Sequence, residues 1–273
     1  MSRFLQFILS LFKINGSSRP LKREGQQVFA GFLAYDWSRQ SYSETRKYVN
    51  ACVESGFTGI TFELMERMAD WPRGEKVEDV ARRMEEQVQK IGIWISECRR
   101  AGLWARIIIN NSNADVNRTL VSPSPFLVAA NNLKGKYGQD NLLILPVSEK
   151  DSDLKEAFRV AIINHCEALF DRGHTIAYSA RRPDALWLET HMKDPAISAR
   201  GDYHHIAVSD TGDILRKLHT DGVTGQIPVV EAWETFVRSN LKAGVSVCCY
   251  AFHKKPNYGL VSRLSKVTKE AAK

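Results

Sequence analysis

The stretch "LWARIIINNSN", residues 103–113, is the part of the sequence that predicts the fold most directly. Its apolar run is nearly continuous and ends in Asn110 and Asn111. A strand with one face in water would alternate apolar and polar residues, whereas a strand that is apolar nearly throughout is typical of a parallel sheet covered on both faces. We therefore predict a buried parallel strand that ends in polar residues.

The residues before this strand predict the helix that a parallel connection requires. Residues 77–102, "VEDVARRMEEQVQKIGIWISECRRAG", carry apolar residues at helical spacing and end at Gly102. An earlier strand-like run, "FTGITFELM" at residues 57–65, has Glu63 near its end. Strand, helix and strand in this order predict one βαβ unit.

The same alternation runs along the chain. Further strands are predicted from the runs "QVFAGFLAYDW" (27–37), "NLLILPVSEKDS" (141–152), "DALWLETH" (184–191), "HHIAVSD" (204–210) and "VSVCCYAFHKK" (245–255). Further helices are predicted at 43–56 with Ser43 as cap, at 153–173 and at 227–244, a loop is predicted from about 111 to 140, and "HTIAYSA" (174–180) is either a strand or a continuation of the preceding helix. Seven or eight such units favour a single-domain (β/α)8 TIM barrel over residues 25–260, with an open doubly wound sheet as the alternative. No glycine-rich nucleotide fingerprint follows the first strand, which weakens that alternative.

Composition excludes several classes of protein. The 273 residues are 44% hydrophobic and 25% charged, which is ordinary for a globular chain, and the net charge of +7 is not accompanied by a nucleic-acid-binding motif. The five cysteines form no CxxC pair, so we expect neither a structural zinc site nor a disulfide framework. The absence of such a framework favours a reducing compartment.

The two ends of the chain are predicted to lie outside the barrel. Residues 1–24 form an apolar and basic segment in which Phe4–Phe12 is too short to cross a bilayer as a helix. We interpret it as an apolar surface helix that contacts a membrane, a protein partner or the barrel. Residues 261–273 form a basic tail. A cytoplasmic or peripheral-membrane location is favoured, and secretion is the alternative.

Polar residues recur where the predicted strands end, and they are the candidate site. They are Asp36, Glu63, Asn110, Glu149, Glu189, Asp210 and His253. In a barrel these ends converge on the face that carries the chemistry. Several carboxylates in one place repel each other, so a cation, a substrate or raised pKa values must compensate.

Two chemistries use such a cluster. Glycoside hydrolysis needs one protonated carboxyl and one ionised carboxyl on either side of the scissile bond. We predict Glu149, Glu189 and Asp210 as the catalytic candidates, without a metal or another cofactor. The predicted substrate-binding residues are Asp36, Trp37, Glu63, Asn110, Tyr250 and His253, the two aromatic rings by stacking on sugars. The second chemistry is a Mg²⁺-dependent lyase or aldolase reaction on a small acid.

The plan resembles the TIM-barrel glycoside hydrolases, many of which carry an acid/base glutamate after the fourth strand. Glu149 in "LLILPVSEK" matches that position, although Ser148 stands where those enzymes commonly have asparagine. The resemblance implies a nucleophile after strand seven, for which Asp210 in "HIAVSDTG" and Glu231 in "IPVVEAW" are the candidates.

A shorter stretch, "AYSARRPDALWLETHMKDP" (177–195), resembles the isocitrate lyase and phosphoenolpyruvate mutase barrels, but the KKCGH loop of isocitrate lyase is absent. The leading hypothesis is therefore a glycoside hydrolase-like enzyme that cleaves or binds a carbohydrate polymer. The alternatives are the magnesium-dependent enzyme and a catalytically silent barrel that serves as a carbohydrate-binding or structural module.

Overall fold

The computed structural model describes residues 30–33, 36–54, 57–66, 70–111, 114–148, 154–177, 187–192, 204–209, 238 and 246–249. Several predictions lie outside these residues: the terminal segments 1–24 and 261–273, the helix at Phe4–Phe12, and the site residues Glu149, Asp210, Tyr250 and His253. Glu231 and most of the helix predicted at 227–244 also lie outside them. Strands β1 and β5 to β8 are described by their backbone.

The described strands form one parallel sheet, as the apolar runs predict. They are β1 (Ala30–Leu33), β2 (Gly59–Glu63), β3 (Trp104–Asn110), β4 (Leu142–Val147), β5 (Ile176–Ala177), β6 (Trp187–Met192), β7 (His204–Ser209) and β8 (Ser246–Cys249). Their order in the sheet is β4-β3-β2-β1-β8-β7-β6-β5. Strand β1 pairs with both β2 and β8, so the first and last of the described strands are neighbours.

The two strands at the ends of this order, β4 and β5, also approach each other. A parallel bridge joins Ile144 in β4 to Thr175, the residue before β5. The backbone also decides between the two interpretations of "HTIAYSA": the preceding helix ends at Leu169, and residues 176 and 177 form a strand.

Four α-helices are described: α1 (Tyr42–Glu54), α2 (Val77–Ala101), α3 (Ser124–Tyr137) and α4 (Glu156–Leu169). Helix α2 follows its prediction closely, because the residues at helical spacing from Val80 to Cys98 are buried and Gly102 ends the helix with a φ of 70°. Within the described residues, no helix is both long and apolar enough to span a bilayer.

The start of α1 differs from the prediction. Ser43 is exposed, and the capping residue is Ser41. The Ser41 N–H and hydroxyl donate to Oε2 of Glu44 over 2.8 and 2.7 Å, and the Glu44 N–H donates back to the Ser41 hydroxyl over 3.3 Å. This reciprocal pair is a capping box.

The loop predicted from 111 to 140 is wrong, because α3 occupies much of it. The helix begins close to two prolines, Pro123 and Pro125, which suit a first helical turn. Its buried residues are Pro125, Phe126, Ala129, Ala130 and Leu133. Small alanines let the helix pack closely, yet they give a weaker apolar stripe than the one that predicted α2.

The strands next to these helices have two different faces. Residues of β2 and β3 that pack with α1 and α2 in the apolar core alternate along each strand: Ile60, Phe62, Ala105, Ile107 and Ile109. Because successive side chains in a strand point to opposite faces, Thr61, Glu63, Arg106 and Asn110 lie on the other face. The polar face of β2 and β3 is therefore the one directed away from the helices.

Candidate functional site

Asp36 follows β1 in an unusual backbone conformation. Its φ is 53°, in the left-handed region that most non-glycine residues avoid, and its residue surface is only 7% exposed. Such conformations cost free energy and concentrate at functional sites. A buried carboxylate in a strained turn at a strand end is therefore a strong candidate for function.

Trp37, the next residue, is 1% exposed. Its indole N–H donates to the backbone oxygen of Glu63 over 3.0 Å, and its own backbone oxygen accepts the indole N–H of Trp94 over 3.0 Å. These contacts tie the turn after β1 to the end of β2 and to helix α2. They give Trp37 a role in the framework of the site, and its predicted stacking on a sugar stays untested.

Glu63 ends β2 and is partly exposed. Oε2 of its carboxylate accepts a hydrogen bond from the side-chain amide of Asn111 over 2.9 Å. An amide donor of this kind orients the carboxylate. Glu63 therefore presents a fixed carboxylate at the strand ends, close to the end of β3.

The end of β3 is held by a buried pair of asparagines. The Asn110 amide donates to Oδ1 of Asn117 over 3.0 Å, and the Asn117 amide donates to Oδ1 of Asn110 over 3.4 Å and to the backbone oxygen of Asn111 over 2.8 Å. Asn117 comes from a short 3-10 turn, Asp115–Arg118. The chain Asn110–Asn117–Asn111–Glu63 is thus one hydrogen-bonded network, which we call the asparagine network.

The sequence predicts part of this network. Glu63 and Asn110 end predicted strands, whereas Asn117 lies inside the predicted loop. Asn110 and Asn117 also match glycosylation sequons, but both side chains are buried in the folded chain and engaged in hydrogen bonds. The spacing of seven residues from Asn110 to Asn117 gives no signal of contact without the intervening turn.

Glu66 is a site residue that the sequence did not suggest. It is 6% exposed, and Oε2 of its carboxylate accepts the N–H of Ser38 over 3.3 Å and also the Ser38 hydroxyl. Burial raises the pKa of Glu66 and the charge of Asp36 raises it further, while the hydrogen bonds from Ser38 and from the Trp37 backbone lower it. A signal was present, since Glu66 lies three residues after a strand-end glutamate.

Arg106 lies in the middle of β3 on the same face as the asparagine network and is fully buried. Its Nη1 donates to the hydroxyl of Thr61 over 3.4 Å, and these two residues are register partners. A buried guanidinium is costly unless it is paired or hydrogen-bonded, and the hydrogen bond to Thr61 offsets part of this cost.

The end of β4 lies next to the asparagine network. The N–H of Ser148, the residue after β4, donates to the backbone oxygen of Asn110 over 3.0 Å. Glu149 follows in the sequence and is outside the described residues. Glu189 was predicted at a strand end, but β6 continues to Met192, so Glu189 is an inner residue of that strand.

The arrangement brings Asp36, Glu63, Glu66 and the asparagines to the carboxyl ends of β1, β2 and β3. Fixed carboxylates and amides in this position can bind hydroxyl groups through both donors and acceptors. Among the described residues, no group of three or more histidine, cysteine, aspartate or glutamate side chains could hold a metal ion.

No protein-family model matches the sequence, and no curated protein matches it. Solved structures do match the fold. A glycoside hydrolase family 5 protein from Bacteroides vulgatus ATCC 8482 has a TM-score of 0.58 at 12% identity, over 82% of this chain and 57% of that chain. The endo-1,4-beta-mannanase of Rhizomucor miehei has a TM-score of 0.51 at 10% identity, over 89% of this chain and 95% of that one.

A GH138 enzyme that targets pectin rhamnogalacturonan II is also similar, with a TM-score of 0.53 at 13% identity, over 91% of this chain and 39% of that chain. This chain therefore spans little more than half of the Bacteroides structure and a smaller part of the GH138 enzyme. At these identities the likeness concerns the fold alone. It confirms the resemblance predicted from the sequence: the fold is similar to that of the TIM-barrel glycoside hydrolases.

Proposed function

We propose that the protein is a glycoside hydrolase-like enzyme that binds a polysaccharide at the carboxyl ends of its strands. The observation that carries the proposal is the asparagine network, which fixes the carboxylate of Glu63 beside the buried Asp36 turn. A framework of amides and carboxylates at parallel strand ends is suited to hydroxyl-rich ligands. Glycoside hydrolases among the similar folds support the choice of substrate class.

The proposal includes a closed (β/α)8 barrel. The pairing of β1 with β8 and the bridge from Ile144 to Thr175 support a ring of strands. The register can be followed from a residue of β3 through each pair of neighbouring strands and back to β3. The residue reached lies about eight positions from the starting residue, which is the stagger found in barrels of this type. Closure would place the ends of all eight strands around one mouth.

Within that mouth we assign the catalytic roles to residues beyond the described network. Glu149 is the general acid/base, and Asp210, the residue after β7, is the nucleophile or stabiliser, since Glu189 lies inside β6. The hydrogen bond from Ser148 to Asn110 supports the first assignment, because Glu149 is the next residue in the chain. Asp36, Glu63 and Asn110 belong to the substrate-binding part, with Asp36 and Glu63 contacting hydroxyl groups and Asn110 holding the asparagine network.

The chemistry needs two carboxyl groups in different protonation states. One delivers a proton to the leaving oxygen of the glycosidic bond, while the other, ionised, attacks the sugar or activates water. Two carboxylates near each other raise the pKa of one of them, which keeps its proton available at neutral pH. Tyr250 and His253, which follow β8 in the sequence, are proposed to contact the substrate.

A thermal-shift screen tests the ligand class. Purified protein is heated with a panel of oligosaccharides and small acids, each with Mg²⁺ and with EDTA. Stabilisation by an oligosaccharide that EDTA does not change supports the proposal. Stabilisation only by a small acid with Mg²⁺ would overturn it in favour of the lyase or aldolase reaction.

Turnover of the stabilising oligosaccharide then separates an enzyme from a silent binding module. Replacing Glu149 by Gln is expected to lower the rate by roughly 10²–10⁴-fold while thermal stability is kept, because a general acid contributes on this scale. Glu156→Gln is the control, since this residue lies on α4 with a side chain that is 68% exposed. Binding without turnover in the wild-type protein would support the silent module instead.

A further inference from the structure

Glu66 holds the turn after β1 from the end of β2. Oε2 of its carboxylate accepts both the N–H and the hydroxyl of Ser38. These donors belong to the 3-10 turn Trp37–Arg39, which Asp36 precedes. The Glu66 backbone is itself fixed, because its oxygen accepts the indole N–H of Trp71 over 3.1 Å.

The second carboxylate oxygen of Glu66, Oε1, does not bind Ser38. Within the described part of the chain, Oε1 is buried and has no hydrogen-bond partner. A buried oxygen without a partner costs free energy, and the cost is larger for an ionised group. The raised pKa of Glu66 has the same origin, with burial as its main cause and the charge of Asp36 as an additional one.

Holding the turn after β1 through Ser38 does not by itself require a carboxyl group. A glutamine would accept the same hydrogen bonds from Ser38 without placing a second negative charge near Asp36. Elsewhere in the chain, Glu44 makes the same pair of bonds with Ser41, but it is exposed to solvent and caps a helix. The acid at position 66 is therefore costly for stability and unnecessary for capping, which is typical of a functional group.

We propose that Glu66 is a positioning residue for Asp36: its carboxyl group holds the Asp36 turn, and gain or loss of its proton changes how Asp36 binds a hydroxyl-bearing ligand. The inference rests on the proposed function, because it assigns ligand contact to Asp36. With Glu66 neutral, Asp36 is the sole charge of the pair. With both ionised, the two carboxylates repel each other and the strained turn is destabilised.

Charged residues occur in the segments next to Glu66. Asp36 lies in the turn that Glu66 holds, and Arg39 ends that turn. Glu63 precedes Glu66 in the chain and is bound by Asn111. Arg83 of α2 stacks on the Trp71 ring at 4.2 Å and pairs with Glu75, and its Nη1 donates to the backbone oxygen of Asp70. Arg67 is adjacent in sequence and lies outside the described residues.

The first test compares Glu66→Gln with the wild-type protein and with Glu44→Gln, the exposed counterpart that keeps the same hydrogen-bond geometry. The protein is the full chain, and the probe is the oligosaccharide that stabilises it most in the thermal-shift screen. Between pH 5 and pH 8 the wild-type affinity is expected to fall as the pH rises, because Glu66 loses its proton. Glu66→Gln should bind about tenfold more tightly than the wild type at pH 8 and lose this pH dependence. Glu44→Gln should bind as the wild type does.

Stability gives a second readout with a definite sign. An acid with a raised folded-state pKa stabilises the fold below its unfolded pKa, and this contribution is lost as the pH rises through the folded pKa. The melting temperature of Glu66→Gln relative to wild type should therefore increase as the pH rises from 5 to 8. Equal affinity and an equal pH profile in the two proteins would overturn the proposal.

A ligand-free readout keeps this inference separate from the proposed function. If no oligosaccharide binds the wild-type protein, the proposed function fails, and amide hydrogen exchange of residues 36–40 tests Glu66 instead. Glu66→Ala should speed exchange of the Ser38 amide, Glu66→Gln should leave it slow, and Glu44→Ala should have no effect there. Unchanged exchange in Glu66→Ala overturns the positioning role.

Discussion

The two faces of β2 and β3 differ in polarity. On one face, Phe62 and Ile107 are fully buried and pack with the helices in the apolar core. On the other face, Glu63, Arg106 and Asn110 are polar, and two of these three are also fully buried. Burial alone therefore does not distinguish the faces, because the second face buries polar groups that are hydrogen-bonded to a neighbouring strand or to residues that follow β3.

The difference shows how a strand can serve stability and function together. Removing an apolar side chain from the helix-facing side leaves a cavity, which lowers the free energy of unfolding. Removing a polar side chain from the other side leaves its partners unsatisfied and also loosens the candidate site. Substitutions on the two faces should therefore separate into those that change mainly stability and those that change mainly ligand binding.

The largest effect on folding is expected for Phe62→Ala. The Phe62 ring packs edge-on against Trp37, with ring centroids 6.2 Å apart, and lies 5.2 Å from the Trp94 ring. Truncation of a buried phenylalanine costs about 3–5 kcal/mol, measurable by urea unfolding. Ile93→Ala on helix α2 is the control, because Ile93 is 44% exposed and should change stability little. Similar losses in both variants would contradict the assignment of Phe62 to the apolar core.

An intermediate effect is expected for Asn117→Ala, on the polar side. The substitution removes the hydrogen bonds between the Asn117 and Asn110 side chains and the one from Asn117 to the Asn111 backbone, so we expect a loss of about 1–3 kcal/mol in unfolding free energy. Ligand affinity should fall as well, because Asn111 then holds Glu63 less firmly.

The matched control is Asn131→Ala. Asn131 is exposed on α3, where its Oδ1 lies 3.1 Å from Nε2 of His165. Its loss should leave ligand affinity unchanged and reduce stability by less than the loss of Asn117 does. If Asn117→Ala destabilises the fold but binds ligand as the wild type does, the asparagine network belongs to the framework rather than to the site.

The strands and α2 could be predicted because local and tertiary signals agree in them. Strand β3 is apolar nearly throughout, and α2 repeats apolar residues at helical spacing before a glycine in the left-handed region. Helix α3 could not be predicted in this way, since its buried residues include small alanines and its start carries two prolines that resemble a loop.

The candidate site was predictable where it depended on strand ends and hidden where it depended on loops. Glu63 and Asn110 end strands, so the parallel topology alone brings them together. Asn117 lies in a 3-10 turn whose path depends on a backbone hydrogen bond to Trp71. Glu66 lies after β2, where contacts with Trp71 and Ser38 fix its position. Periodicity carries no signal for such contacts.

The smallest effect on folding is expected for Glu63→Gln, although Glu63 is the chain neighbour of Phe62. A glutamine oxygen can still accept the Asn111 amide, so the unfolding free energy should stay within about 0.5 kcal/mol of wild type. The loss of charge should instead weaken ligand binding about tenfold, because hydrogen bonds to an ionised carboxylate are about twice as strong as neutral ones. Urea unfolding and oligosaccharide affinity, measured on the same preparation with Glu44→Gln as the exposed control, test both halves of this statement. Destabilisation as large as that of Phe62→Ala would mean that the polar face supports the fold in the same way as the apolar face, and the contrast between adjacent residues would not hold.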